Sequence, residues 1–306
     1  MHPTIIVASN LTKRYGETVV VDGIDFEVGQ GECFGFLGPN GAGKSTTMRM
    51  IMGLTPRDGG RLEVFGRDVV PEDSVLAAQM GIVPQDNNLD VDLEVGENLD
   101  VYCRYFGLSA REREEKIEQL LAFAQLSDRR YTPVTKLSGG MMRRLVIARA
   151  LVAQPKMVIL DEPTTGLDPQ ARHLIWQRLA KLRETGVTLL LTTHYMEEAA
   201  RLCDRLLILN RGCILDQGSP EDLISRHVEP EVLEIWNRDG MPSLEDFADL
   251  PGRKEQVGDT LTIHGFQLET VRQLVVQRAG YACLLRPANL EDVFLRLTGH
   301  DLREGL

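Results

Sequence analysis

Residues 31–54 read GECFGFLGPNGAGKSTTMRMIMGL. Cys33 to Leu37 is a short apolar run of the kind that forms a buried strand. A glycine-rich turn follows, and after it an apolar-periodic helix. Gly38 to Ser45 fits G-x-x-x-x-G-K-[ST] in the strand–turn–helix setting that this phosphate-binding pattern needs. Gly38, Gly41 and Gly43 are expected to adopt backbone dihedrals that a Cβ would forbid, turning successive N–H groups inward around phosphate oxygens. The helix beginning after Gly43 points its positive end at the same oxygens. Lys44 would reach the β- and γ-phosphates, and the Ser45 hydroxyl would ligate Mg2+. The nucleotide-binding stretch is therefore Gly38, Pro39, Asn40, Gly41, Ala42, Gly43, Lys44, Ser45 and Thr46.

Downstream, MVILDEPTTGLD (residues 157–168) ends an apolar strand in Asp161 and Glu162. Ligands of open α/β sheets gather at the carboxyl ends of strands, so this pair should face the phosphates. Asp161 would hold Mg2+, directly or through water, and Glu162 would orient and deprotonate the attacking water. His194 ends the next strand, LLLTTH, and should land beside the same site as a γ-phosphate contact. The same alternation of apolar strands and helices continues to RLLILN, which indicates a mostly parallel sheet covered on both faces. Residues 4–9 and 17–28 read as strands with β-branched clusters, and RLEVFGRDV as a further strand and turn. In SAREREEKIEQLLAFAQL, Ser109 and Glu112 have capping-box spacing, and Ile117, Leu120, Leu121 and Ala124 lie at helical intervals. Beyond about Arg226 the strands EPEVLEIWNRDG, GDTLTIHG and YACLLRP, with a helix around LETVRQLVVQRAG, indicate a separate small α+β part. The expected domains are thus 1–228 and 229–306.

Composition narrows the partners. The 306 residues carry a net charge of −11, so a basic surface over the whole chain, as a non-specific nucleic-acid binder needs, is excluded. No stretch has the roughly 18 apolar residues of a membrane span. The start, MHPTIIVASNLTKRYG, lacks the form of a signal peptide. Cytoplasmic residence is expected, with any membrane location supplied by a partner. Cys33, Cys103, Cys203, Cys213 and Cys283 form no CxxC pair and are expected to be reduced core residues.

A phosphate loop and an acidic pair occur in GTPases, kinases and helicases alike. LSGGMMRRL (Leu137–Leu145) decides among them, because it resembles the signature motif of ABC ATPases and lies shortly upstream of the acidic strand, as in that family. Tyr15 in KRYG resembles the adenine-stacking aromatic, Gln85 in GIVPQ the Q-loop glutamine that joins the Mg2+ site, Asp168 in TGLD the D-loop aspartate, and His194 the switch histidine. The resemblance implies a P-loop NTPase fold with an antiparallel β portion and a helical signature subdomain, and an ATP hydrolase using ATP and Mg2+. It also implies a homodimer in which Ser138, Gly139 and Gly140 of one copy meet the γ-phosphate bound by the other. Met141 departs from the glutamine of many ABC ATPases. That variant, with NLEDVFLRLTGHDL near the end, is similar to the ABC-2 exporter branch. PQDNNLD, CRYFGLSAR, GLDPQARHLIW and HYMEEAARLCDRL resemble nodulation-factor export ATPases most, while related chains serve drug and polysaccharide exporters.

That likeness implies an integral membrane permease of the ABC-2 type as partner, at the cytoplasmic face of the inner membrane. The stretch from Gln85 to about Gly107, with Leu99, Val101, Tyr102, Tyr105 and Phe106, would dock a helix of that permease. A soluble ABC ATPase acting on ribosomes or DNA is the alternative. Such proteins usually carry two ATPase domains or long coiled-coil insertions, and neither occurs in this sequence. A regulatory module with little turnover would not need Glu162 and His194.

Overall fold

The computed structural model describes residues 3–237, 242–278 and 280–299. Residues 238–240 of EPEVLEIWNRDG and the end of NLEDVFLRLTGHDL from His300 lie outside the described residues. Two compact units divide the chain between Gln217 and Gly218.

In the first unit, β1 (Thr4–Tyr15) and β2 (Thr18–Gly29) pair antiparallel through a tight turn in which Gly16 takes φ 59°. The buried strand β3 (Cys33–Leu37) leads through the phosphate loop into α1 (Lys44–Ile51). β4 (Gly59–Val64) and β5 (Arg67–Asp68) complete an antiparallel sheet ordered β2-β1-β4-β5. After α2 (Ser74–Ala77) and β6 (Met80–Val83) come the helices α3 (Val95–Tyr105), α4 (Ala110–Ala124) and α5 (Gly139–Ala150). The Ser109–Glu112 capping box forms as its spacing predicts, and α4 buries Ile117, Leu120, Leu121 and Ala124. β7 (Met157–Asp161), α6 (Pro169–Glu184), β8 (Thr188–Thr193), α7 (Met196–Leu202), β9 (Arg205–Asn210) and β10 (Cys213–Gly218) follow. The second sheet runs β10-β9-β3-β8-β7-β6, and β9, β3, β8, β7 and β6 pair in parallel. Its alternating crossovers are those of an α/β fold. The antiparallel layer packs on it through Phe26 of β2, whose ring lies 6.1 Å from Phe34 and 5.3 Å from Phe36 of β3. Such aromatic pairs each add about 1 kcal/mol beyond the area they bury.

The second unit comprises α8 (Pro220–His227), β11 (Glu231–Asn237), β12 (Arg253–Val257), β13 (Thr260–Gly265), α9 (Glu269–Val276), β14 (Tyr281–Pro287) and α10 (Leu290–Thr298). Its antiparallel sheet is ordered β12-β13-β11-β14 over a core of Leu233, Ile235, Phe247, Leu261, Ile263 and Val275. The compact units part ahead of residue 228 because α8 packs on α10. Strand β12, RKEQV, has no apolar alternation to announce it. As an edge strand it needs none, since charged side chains blunt a free edge. The cysteines correct the expectation of uniform burial. Cys33, Cys103 and Cys203 are buried, but Cys213 is exposed and Cys283 half-buried, and all are free.

Candidate nucleotide site

The strand order assembles the site. β3, β8, β7 and β6 are neighbours in one parallel sheet, so the segments leaving their carboxyl ends lie side by side. These are the phosphate loop, His194, the Asp161–Glu162 pair and Gln85, in that order.

In the phosphate loop, Gly41 (φ 78°) and Gly43 (φ 104°) occupy the left-handed region that a side chain disfavours. A Cβ on Gly43 would also stand 2.6 Å from Val20 O. Gly38 corrects the dihedral expectation. It has no positive φ, and is needed for space, because a Cβ there would meet Leu209 O at 2.3 Å. Lys44 is 5% exposed, and its Nζ donates to Gly38 O at 2.7 Å and Pro39 O at 3.0 Å. Burial pulls its pKa down, while the charges of Glu162 and Asp161 oppose that shift. Lys44 to Thr46, at the start of α1, have backbone N–H groups of the kind that can bind an anion, whereas the Thr47 N–H already donates to Gly43 O at 2.9 Å.

Asp161 closes β7. Its Oδ1 accepts from Ser45 Oγ at 3.3 Å and from the Thr192 hydroxyl. Glu162, 9% exposed, has φ 45°, a conformation that non-glycine residues seldom hold without a structural or functional reason. Its Oε1 lies 3.2 Å from His194 Nδ1, an ion-pair distance that is off the line of an ideal hydrogen bond. Its Oε2 accepts from Thr165 Oγ1 at 3.0 Å and from Gln85 Nε2 at 3.5 Å. The His194 ring is the first cause that lowers the Glu162 pKa, with Thr165 and Lys44 adding to it against the upward push of burial. Lys44, Ser45, Gln85, Asp161, Glu162 and His194 are therefore brought together. Ser45 and Asp161 offer adjacent hard oxygen donors, which suits Mg2+. Among the described residues no group of three or more His, Cys, Asp or Glu forms a self-sufficient metal cage. A cation here would thus need phosphate oxygens or water to complete its shell.

The remaining candidates lie outside that cluster. Ser138 caps α5 by accepting from Met141 N at 3.3 Å, and Gly139 and Gly140 form the first turn. A Cβ on Gly140 would meet Ala171 Cβ at 2.8 Å, so this glycine also serves packing on α6. Asp168 caps α6, accepting from Ala171 N at 2.9 Å. Tyr15 is half exposed at the end of β1, with Lys13 Nζ 5.4 Å from its ring centre.

Several functional groups escaped the sequence reading. Thr165 and Thr192 hold the two carboxylates, and Arg143, 3% exposed, bonds the backbone around both. Burial lowers the Arg143 pKa to about 10. A signal was present, since Leu145, Val146, Ile147 and Ala148 point to every side of α5 and leave it no solvated face for Arg143 and Arg149.

Residues 21–165 match the family model of the ABC transporter, and 240–299 that of the nodulation factor export protein NodI C-terminal domain. The chain is 48% identical over 304 residues to the Nod factor export ATP-binding protein I of Paraburkholderia xenovorans, covering 99% of this chain and 100% of that protein. With the protein of the same name from Mesorhizobium japonicum it shares 49% over 296 residues, 97% of this chain and 87% of the relative. Among solved structures, a part of the cbiONQ ABC transporter complex from Clostridium perfringens is 28% identical, with TM-score 0.69 over 72% of this chain and 91% of that one. A dimeric bacterial ABC transporter cassette is 29% identical, with TM-score 0.64 over 70% and 98%. A cassette dimer in a post-hydrolysis state bound to ADP and phosphate is 28% identical, with the same TM-score and coverage.

Proposed function

The chain belongs to the ABC transporter family of ATP-binding, ATP-hydrolysing subunits, and from that premise we propose that two copies energise an ABC-2 type permease that exports a lipo-oligosaccharide of the Nod-factor kind. The observation that carries this reading is the row of strand ends joining Lys44, Ser45, Gln85, Asp161, Glu162 and His194, in a chain alike over its whole length to export ATP-binding proteins. Among the described residues no helix is long and apolar enough to cross a membrane, so the translocation path belongs to a partner. The complex would sit at the cytoplasmic face of the inner membrane.

Glu162, kept ionised by His194 and Thr165, accepts a proton from water aligned with the γ-phosphorus. The water oxygen bonds to that phosphorus as the bond to the β–γ bridging oxygen breaks, giving ADP and phosphate. Lys44 and the α1 N-terminus balance the charge on the phosphate oxygens, and Tyr15 stacks on adenine. Ser45, Asp161 and Gln85 would hold Mg2+, which when bound would supply charge neutralisation for the phosphates. His194 orients Glu162 and contacts the γ-phosphate, and Ser138, Gly139 and Gly140 with Asp168 of a second copy close the site. The functional division remains 1–228 for nucleotide work and 229–306 as an accessory domain.

The helix after Gln85 supports the permease contact. Val101, Tyr102, Tyr105 and Phe106 are exposed, and Phe106 also borders a groove of about 510 Å3 with Leu108, Lys116 and Val152. Vesicles holding this chain and its membrane subunit should accumulate a fluorescent lipo-oligosaccharide only with hydrolysable ATP. Accumulation of a drug-like or polysaccharide cargo instead would replace the cargo assignment. ATP hydrolysis without membrane association would favour the ribosome- or DNA-acting alternative.

A further inference from the structure

Pairing between the parallel strands β6 and β7 ends at Val83–Leu160, and the backbone beyond it opens into a fork. The Arg143 side chain, from the second turn of α5, fills that fork. On the β6 side it donates to Pro84 O and to Gln85 O at 3.2 Å. On the β7 side it donates to Asp161 O at 3.0 Å, Glu162 O at 3.3 Å and Pro163 O at 2.7 Å. These carbonyls lie past the last β6–β7 strand pair, where an unsatisfied buried carbonyl is costly, and of them Glu162 O also accepts from Thr165 N at 3.4 Å. Further along α5, the buried Arg149 donates to Asn88 O at 2.6 Å and lies 4.5 Å from the Tyr102 ring centre. One helix thus grips both the segment that carries Gln85 and the segment that carries Glu162.

We propose that Arg143 is a positioning residue that fixes the spacing of Gln85 and Glu162 from the signature helix, so that a shift of α5 moves both side chains in the same chain. The inference rests on the ATPase reading above. α5 opens with Ser138–Gly140, which on that reading face the nucleotide of a second copy. The brace therefore makes hydrolysis at a chain's own Glu162 depend on its signature turn being engaged by the other copy. A planar guanidinium offers five donors in a fixed fork, whereas a lysine ammonium offers three from one point and a glutamine amide two. Neither substitute spans both arms.

The test uses the full chain with Arg143→Lys and Arg143→Gln. ATP turnover should fall by about tenfold or more in kcat while KM stays within about threefold, since orientation rather than nucleotide binding is lost. Amide exchange in residues 81–88 and 161–165 should quicken by about tenfold, with the rest of the first unit unchanged. A kcat within about threefold of the parent overturns the proposal, as does unchanged exchange at those two segments. So does faster exchange throughout the first unit in both variants, which would make Arg143 a general prop of the fold. If the parent chain itself turns over no ATP, the ATPase reading falls, and the exchange pattern still decides whether Arg143 braces the fork.

Discussion

Lys44 and Glu162 are buried charged groups that face each other across the site, and each bears a separate prediction. Lys44 brings the mobile positive charge of the phosphate loop and ties the loop through Gly38 O and Pro39 O. Lys44→Ala should weaken ATP binding and abolish turnover, because neutral amides cannot replace an ammonium that follows the transferring phosphate. Equal kcat in mutant and parent would remove the site from this loop. The Glu162 pKa lies below its ordinary value of 4.5, chiefly because of the His194 ring. A depressed carboxylate pKa stabilises the fold fully above the unfolded value, and that stabilisation is lost as pH falls through the folded value. Relative to Glu162→Gln, which does not titrate, the parent should lose ground in melting temperature as pH falls below 4.5. A difference that does not narrow as pH falls below 4.5 would mean that the fold does not stabilise the ionised Glu162. Sequence alone gave the identity of these residues, since strand-end acids and a loop lysine are local patterns. It did not give Thr165, which the turn after β7 folds back onto Glu162, Thr192, which β8 brings alongside β7, or the left-handed backbone of Glu162.

Helices α3 and α5 show how an element's role depends on its neighbours. The apolar set expected to meet the permease divides once α3 is packed. Leu99 is fully buried and joins the core, whereas Val101, Tyr102, Tyr105 and Phe106 remain exposed, Tyr105 at 84%. The helix begins at Val95, with a capping box between Glu94 and Glu97. Periodicity gives a helix its apolar stripe, but α4 and α5 determine which part of that stripe is covered. Tyr105→Glu with Phe106→Glu should abolish transport in vesicles and release the chain from the membrane subunit, leaving basal ATPase activity within about twofold, as surface substitutions usually do. Variants that still co-purify and transport fully would place the interface elsewhere.

Across the whole molecule, Ser138 and Asp168 serve as helix caps outside the cluster around Lys44 and Glu162, and on the proposed reading a second copy brings them to the site. Glu162→Gln should therefore bind ATP and lower kcat by about 10²–10⁴-fold, the value of a general base, trapping a dimer with ATP between the copies. Size-exclusion chromatography with ATP and Mg2+ should show the doubled mass, and brisk hydrolysis by this variant would assign the base to another group. The sequence by itself determined the phosphate loop, the acidic strand end, the caps of α4 and the alternating α/β order. In each of these the identifying pattern is local in the chain, so residue type and spacing announce it even where distant residues complete the contacts. Tertiary structure alone decided the strand order that sets His194 between the loop and Glu162, the burial of Arg143 in the fork, and the polar edge strand β12. Parallel strands pair only across long crossovers, so their adjacency is a product of packing that no local pattern encodes.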